Sequence, residues 1–214
     1  MPAVDVVVLG AGAVGLSCAL ELSRAGAQVT VLETAPALAL GCSSGNAGLV
    51  CPSHAAPLAS LASLRLGLRS LPSREGPLAI APRLELLPWL ARFTAASLPA
   101  RERAATETMR ALARASHELH GLYSEQLGTG LTPRGTLDVY ETEAGLERGA
   151  AHAPPPVELL TAKGARTLEP ALTEGIAGAV FHPGELSGDP AEFVRAVGAA
   201  VHRPDGLDHA RPRM

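Results

Sequence analysis

The sequence VDVVVLGAGAVG, residues 4–15, decides the fold of this chain of 214 residues. Apart from Asp5, residues 4–9 are apolar and mostly β-branched without clean alternation, which predicts a strand buried on both faces of a parallel sheet. A glycine-rich turn follows, and residues 14–25 carry apolar side chains at helical spacing, with Gly26 at the expected C-cap. Residues 28–33, QVTVLE, predict a second buried strand. The start of the chain therefore predicts a βαβ unit.

The turn contains Gly10, Gly12 and Gly15 in the GxGxxG spacing of a dinucleotide-binding loop. Gly10 allows the tight turn, Gly12 lets the backbone approach a pyrophosphate, and Gly15 permits close packing of helix on strand. The helix N-terminus offers N–H groups and its dipole to the phosphates. Glu33 ends the second strand, where a carboxylate accepts hydrogen bonds from ribose hydroxyls. We predict an ADP-binding site formed by Gly10, Ala11, Gly12, Ala13, Val14, Gly15 and Glu33; the alternative is a glycine-rich turn that binds no nucleotide.

The acid at the strand end disfavours NADP but does not separate FAD from NAD. Residues 43–48, SSGNAG, bear on that choice. Small residues let the main chain lie against a flat ring, and serine, asparagine and backbone amides can reach the polar edge of a flavin. A small-residue turn with a capping serine is the alternative explanation. We predict FAD as the cofactor, with Ser44, Asn46, Ala47 and Gly48 on the flavin side.

Composition limits the possible partners and the cellular compartment. The formal net charge is −3, which does not supply the basic face that a nucleic-acid partner requires. The three cysteines, Cys18, Cys42 and Cys51, have neither metal-ligand nor CxxC spacing, so we predict no disulfide framework and a reducing cytoplasm. The apolar run near the N-terminus is broken by glycines and lacks a basic flank. It predicts neither a signal peptide nor a membrane span.

The rest of the chain alternates helical and strand patterns. Helices are predicted over residues 58–71, 84–96, 101–126, 141–148 and 189–200, and strands over 135–140, 157–160 and 178–182. The long helix is expected to bury a stripe of Met109, Leu112, Leu119 and Leu122. Asp189 is the predicted N-cap of the last helix, with Pro190 at its first position.

Several residues whose side chains could take part in catalysis or metal binding are assigned structural or surface roles. His54 and Arg134 are predicted to be solvated. His117 and His120 lie three apart on the long helix without further ligands, so we predict surface histidines and no metal site. Trp89 is predicted to lie in a core with Leu86, Leu87 and Leu90, and an apolar patch for membrane docking is the alternative.

The stretch VVVLGAGAVGLSCALELSRAGAQVTVLE followed by SSGNAGLVCPSHAAP resembles the N-terminal half of FAD-dependent D-amino-acid dehydrogenases. These enzymes belong to the wider D-amino-acid oxidase, glycine oxidase and sarcosine oxidase superfamily. The segments GLTPRGTLDVYETEAGLE, LLTAKGARTLEPAL and GIAGAVFHPGELSGDPAEFVRAVGAA follow in the same order, so the resemblance covers about residues 4–200. The pair SSGNAG and GELSGDP is more specific to this group than the glycine loop.

The resemblance implies an α/β fold that consists of a Rossmann-like FAD-binding domain of the GR2 type and part of an inserted α+β substrate domain. It also implies that the chain is truncated. The implied domains are an FAD-binding part at 1–75, a substrate or cap part at 76–165, a return to the FAD-binding domain at 166–201, and an unstructured tail at 202–214. Residues that match Gly10, Gly12, Gly15 and Glu33 hold the ADP half of the flavin in that family. The stretch matching Ser44, Asn46, Ala47 and Gly48 lies beside the isoalloxazine.

The resemblance also implies an activity. Such enzymes oxidise the amine of a D-amino acid to an imino acid, which hydrolyses to a 2-oxo acid and ammonia, and a quinone or electron-transfer chain commonly accepts the electrons near the inner membrane. The family's chain is about twice as long, and the residues that clamp the substrate are expected in the half absent here. No catalytic residue is assigned. The alternatives are an inactive FAD-binding fragment and an NAD-dependent Rossmann enzyme.

Overall fold

The structure is a computed structural model that describes residues 4–70 and 83–202. Its strands are β1 (Asp5–Leu9), β2 (Gln28–Leu32), β3 (Leu49–Val50), β4 (Thr136–Tyr140), β5 (Glu158–Thr161), β6 (Gly178–His182) and β7 (Leu186–Ser187). Its α-helices are α1 (Ala13–Arg24), α2 (Leu61–Ser70), α3 (Leu87–Ala96), α4 (Pro99–Leu127), α5 (Glu143–His152), α6 (Ala162–Leu168) and α7 (Pro190–Val201). Apart from His202, the predicted tail lies outside the described residues.

The chain divides into two compact units. The first contains residues Met1–Cys51 and His117–Met214, and the second contains Pro52–Ser116. The domain bounds expected from the sequence stay a prediction.

The predicted βαβ unit is confirmed at the start of the first unit. Strands β1 and β2 pair in parallel, from Asp5 opposite Gln28 to Leu9 opposite Leu32. Helix α1 connects them and ends at a turn through Gly26, which has a φ of +89°. Because a left-handed backbone at this position favours glycine, Gly26 terminates the helix as predicted.

The prediction that these strands are buried on both faces is wrong. Val7 and Leu9 of β1 are 60% and 79% exposed, and Leu32 of β2 is 54% exposed. The alternate residues are more covered, and Val31 packs against the core of the unit. The physical reason is that the described residues of this unit cover one face of the pair and leave the other open.

The core of the first unit lies between α1, α7 and the C-terminal part of α4. Helix α7 packs along α1, and Asp189 caps it as predicted by accepting a hydrogen bond from the N–H of Ala191 at 2.8 Å. Tyr123 of α4 donates from its hydroxyl to Glu21 of α1 at 2.8 Å. The buried side chains of this core are Ala11, Leu16, Leu20, Tyr123, Leu131, Leu186, Phe193, Val194 and Val197.

A three-stranded antiparallel sheet with the order β4-β6-β5 forms the other part of the first unit. Its three strands coincide closely with those predicted from the sequence. Helices α5 and α6 both contact the central strand β6. Helix α6 and the two-residue strands β3 and β7 were not predicted, because elements this short carry little periodic signal.

The second unit contains α2, α3 and the N-terminal part of α4, close to the predicted helices. The expected core around Trp89 is wrong: Trp89 is 55% and Leu87 56% exposed, although the Trp89 ring stacks on Phe93 at a centroid distance of 5.0 Å. The described residues of this unit supply too few packing partners to enclose a side chain of that size.

The predicted apolar stripe of α4 is also wrong. Its four members are all substantially exposed, at 39%, 71%, 43% and 37% for Met109, Leu112, Leu119 and Leu122. Towards its C-terminus the helix instead covers the core with a different line of residues, His120, Tyr123 and Leu127. Aromatic packing on Phe193 of α7 selects this face.

Candidate cofactor site

The glycine loop has the geometry that its sequence predicts. Gly10 has a φ of +97°, in the left-handed region that favours glycine, and its N–H donates to the carbonyl of Leu32 at 2.7 Å. A Cβ on Gly15 would collide with the carbonyl of Gly10 and lie 3.4 Å from Cγ1 of Val8. The absence of side chains at these two positions therefore lets α1 start directly against β1.

The N-terminus of α1 can receive an anion. The N–H of Leu16 makes the first intrahelical bond, to Gly12 at 3.0 Å, and the N–H of Ala13 donates to Oγ of Ser43 at 3.2 Å. The part of the chain that the structure describes gives no acceptor to the N–H groups of Gly12 and Val14. A Cβ on Gly12 would lie 3.1 Å from Oγ of Ser43, so a larger residue there would require a small movement of the serine side chain. These features fit a cofactor diphosphate.

Glu33 lies against the glycine loop. Its Oε2 accepts a hydrogen bond from the N–H of Ala11 at 2.6 Å, and its Oε1 accepts from the N–H of Ala35 at 2.9 Å and from the hydroxyl of Thr34 at 3.2 Å. The bonds from Ala35 and Ala11 lower the pKa of the carboxyl below its usual value. Glu33 is thus an exposed, ionised acceptor at the loop. Its bond to a ribose remains a prediction.

The segment 43–48 forms a compact turn. The hydroxyl of Ser44 donates to the carbonyl of Gly41 at 2.8 Å, and Oδ1 of Asn46 accepts from the N–H of Gly48, also at 2.8 Å. Gly48 has a φ of +69°, and a Cβ on it would collide with the carbonyl of Gly188. Ser44, Asn46 and Ala47 are exposed and Gly48 is buried.

The close approach at Gly48 joins the two motifs that the sequence singles out, SSGNAG and GELSGDP. Strand β3 pairs antiparallel with β7, with Leu49 opposite Ser187, and the N–H of Gly188 donates to the carbonyl of Gly48 at 3.0 Å. Residues distant in sequence are therefore held together by main-chain bonds. The two motifs therefore lie at one place in the fold.

An open cleft of about 160 Å³ lies beside α1 and this turn. It is lined by Ala13, Ser43, Asn46, Gly48, Leu49, Val50, His120, Leu131, Pro190 and Phe193. The cleft thus brings together three predicted site residues, Ala13, Asn46 and Gly48, from both predicted halves of the site. Ser44 and Ala47 are not among its lining residues.

Ser43 and His120 were not predicted as site residues. Ser43 lies within the segment that the sequence singles out, and its position there was the available signal. The interpretation of His117 and His120 as surface histidines is wrong in part, because both are half-buried. Nε2 of His117 lies 3.0 Å from the carbonyl oxygen of Gly184, whereas His120 lines the cleft.

A polar cluster in the first unit surrounds Glu185, which is 6% exposed. The hydroxyl of Thr136 donates to its carboxylate. Burial and a hydrogen bond to Glu185 raise the pKa of the Cys51 thiol to about 12. Cys51 is therefore a protonated thiol at neutral pH and not a thiolate nucleophile.

Two of the remaining candidates lie at the surface. His54 and Arg134 are exposed, as predicted.

All three cysteines are free thiols. Among the described helices, none combines the length and apolar character needed to cross a membrane.

The fold and the glycine loop define a dinucleotide-binding α/β protein, and comparison with known proteins specifies the family. Residues 5–206 match the family described as FAD dependent oxidoreductase. The chain belongs to this family, and FAD is its cofactor.

The curated relatives include D-amino acid dehydrogenases. That of Sinorhizobium medicae is 32% identical over 213 residues, covering 92% of this chain and 51% of the relative. That of Methylobacterium radiotolerans is 35% identical over 210 residues, covering 91% of this chain and 49% of the relative. The chain therefore spans about half the length of the curated relatives it matches.

Solved structures share the fold at lower identity. Glycine oxidase from Geobacillus kaustophilus matches 92% of this chain and 44% of its own with a TM-score of 0.55 at 22% identity. L-alpha-glycerophosphate oxidase from Mycoplasma pneumoniae, a structure with FAD bound, matches 94% of this chain and 43% of its own with a TM-score of 0.53 at 20% identity.

Proposed function

We propose that this chain provides the ADP-binding and flavin-side part of an FAD-dependent oxidoreductase that acts on the amine of a D-amino acid. The observation that carries the proposal is the cleft at the N-terminus of α1, which is also lined by residues of the SSGNAG segment. A helix N-terminus suits a diphosphate, and the small-residue segment beside it suits a flat ring.

Each part of the site has a role in this proposal. The N–H groups of Gly12 and Val14 donate to the diphosphate, while Glu33 accepts from the ribose hydroxyls. Gly10 and Gly15 keep the loop close to β1. Ser44, Asn46, Ala47 and Gly48 lie beside the isoalloxazine, and the hydrogen bond from Gly48 to Asn46 holds that segment in place.

The proposed reaction is the oxidation of an amine. When bound, FAD supplies the two-electron oxidation of the amine: the substrate loses a hydride from Cα and a proton from nitrogen, and water hydrolyses the imino acid to a 2-oxo acid and ammonia. The D-amino acid substrate is supported by relatives of that name at 32–35% identity. We assign the residues that clamp the substrate carboxylate to the part of the relatives that this chain does not match. The same proposal includes electron transfer from the flavin to an acceptor such as a quinone, with peripheral contact to a membrane.

Purification and anaerobic reduction test this function. We expect the purified chain to be yellow with flavin absorbance. When it is joined to the part of the Sinorhizobium medicae relative that it does not match, which supplies the substrate clamp in this proposal, D-alanine or another D-amino acid, and not the matching L-amino acid, should bleach it when air is excluded. Colour without bleaching by any D-amino acid would contradict the oxidation and leave an FAD-binding chain. A colourless protein that binds NAD would contradict FAD as the cofactor as well.

A further inference from the structure

His120 occupies a defined position at the cofactor cleft. Its ring stacks on Phe193 of α7 at a centroid distance of 5.0 Å and an interplanar angle of 22°. Phe193 is itself 5% exposed and also contacts the ring of Tyr123 at 6.3 Å. Because the imidazole packs on a buried ring, its plane is restrained, and a restrained donor loses little entropy on binding a ligand.

The cleft contains few groups that can neutralise an anion. Among the described residues that line it, His120 alone can carry a charge. The other polar side chains are those of Ser43, which accepts from Ala13, and Asn46, whose Oδ1 accepts from Gly48. A neutral imidazole has one N–H donor and a protonated one has two.

We propose that His120 is a cofactor-binding residue that donates a hydrogen bond to the diphosphate of FAD, in the cleft that Ala13 at the start of α1 also lines. Ala13, at the first turn of α1, and Asn46, of the flavin-side segment, both line this cleft. The diphosphate is favoured over the isoalloxazine because it is the anionic part of FAD and His120 is the described lining residue that can carry a positive charge. This inference rests on the proposed function, since it assigns a further residue to the same cofactor. The glycine-loop motif contains no signal for it, because His120 comes from α4.

The test compares three variants for their affinity for FAD, ADP and riboflavin by isothermal titration. His120→Ala removes the donor, His120→Gln retains a neutral donor, and His117→Ala on the same helix is the matched control. We expect His120→Ala to lower the affinity for FAD and for ADP about tenfold, because a hydrogen bond to a charged group is lost. His120→Gln should lose less, and His117→Ala should bind both as the unsubstituted chain does.

Riboflavin, which lacks phosphate, separates a diphosphate contact from a packing effect. The affinity of His120→Ala for riboflavin should equal that of the unsubstituted chain. Thermal unfolding of this variant reports whether it is folded. The inference would be overturned if the affinities for ADP and riboflavin fell equally, or if neither His120 variant lost affinity for ADP. The proposal that the chain binds FAD would still stand in both cases. If the unsubstituted chain binds neither FAD nor ADP, the proposed function fails and this inference fails with it.

Discussion

At the scale of single residues, the site depends on positions where a side chain cannot be accommodated. Gly15 lies against the carbonyl of Gly10, and Gly48 lies against the carbonyl of Gly188. In both cases the obstructing atom belongs to the backbone, so it cannot move aside as the end of a flexible side chain can. The glycine requirement is therefore a packing requirement as well as a conformational one.

Substituting Gly15 tests this packing directly. Gly15→Ala should lower the free energy of unfolding by about 3 kcal/mol and reduce FAD binding, because the new methyl group forces α1 away from β1. Urea denaturation and flavin titration measure the two effects. Gly41→Ala is the matched control, since a Cβ there meets no atom within 4 Å. Equal stability of the two variants would show that the close approach at Gly15 is not required.

The pKa of Glu33 predicts a pH dependence. Hydrogen bonds from Ala35 and Ala11 lower this pKa in the folded chain. The carboxylate therefore contributes stability above its unfolded pKa of about 4.5, and this contribution is lost as pH falls through the lower folded value.

Urea midpoints measured from about pH 5 to about pH 3 check this dependence. Glu33→Gln should lose less stability over that interval than the unsubstituted chain does. The exposed Glu174→Gln serves as control and should follow the unsubstituted chain. An identical acid dependence in Glu33→Gln would contradict the assignment.

The sequence predicts the residues of the site unevenly, for a physical reason. Gly10, Gly12, Gly15 and Glu33 could be predicted because the loop, helix and strand that carry them are adjacent along the chain. The contacts of Ser43 and His120 could not, since the hydrogen bond of Ser43 to Ala13 and the stacking of His120 on Phe193 arise only from tertiary packing. Long-range contacts leave no local pattern.

At the scale of elements, capping residues at the ends of helices predict the structure more reliably than apolar stripes do. Asp189 and Pro190 predicted the start of α7 correctly, because a cap is a local interaction. The stripe predicted for α4 failed, because the face that a helix buries depends on the elements that meet it. The same dependence explains why the two-residue pair β3–β7 was not predicted.

The cap of α7 gives a prediction at this scale. Asp189→Ala should lower the free energy of unfolding by about 1 kcal/mol, because the bond to the N–H of Ala191 is lost at the end of a helix that packs on α1. Asp189→Asn retains an acceptor and should stay within about 0.5 kcal/mol of the unsubstituted chain. Urea denaturation compares them, and equal losses in both variants would contradict a capping role.

At the scale of the whole molecule, the open face of the β1–β2 pair is the main departure from the expected fold. Parallel strands are ordinarily covered on both faces. Here Val7, Leu9 and Leu32 remain more than half exposed in a chain that matches about half the length of its curated relatives. An uncovered apolar face of this kind favours self-association.

Replacing one exposed side chain on that face tests this consequence. Leu9→Thr should reduce self-association in sedimentation velocity and the binding of a hydrophobic dye, with little change in the free energy of unfolding. Leu58→Thr, at a leucine that is 75% exposed but lies outside the sheet, is the control and should leave the sedimentation profile unchanged. Equal effects of the two substitutions would argue against a specific role for the sheet face.

The central claim is that residues 10–15, Glu33 and the segment 43–48 form part of an FAD site. The most direct measurement is a parallel titration of the purified chain, freed of bound flavin, with FAD and with NAD. We predict saturable binding of FAD at one site per chain, tighter than NAD and lost in Gly15→Ala but retained in Gly41→Ala. No binding of FAD, or tighter binding of NAD than of FAD, would contradict the account.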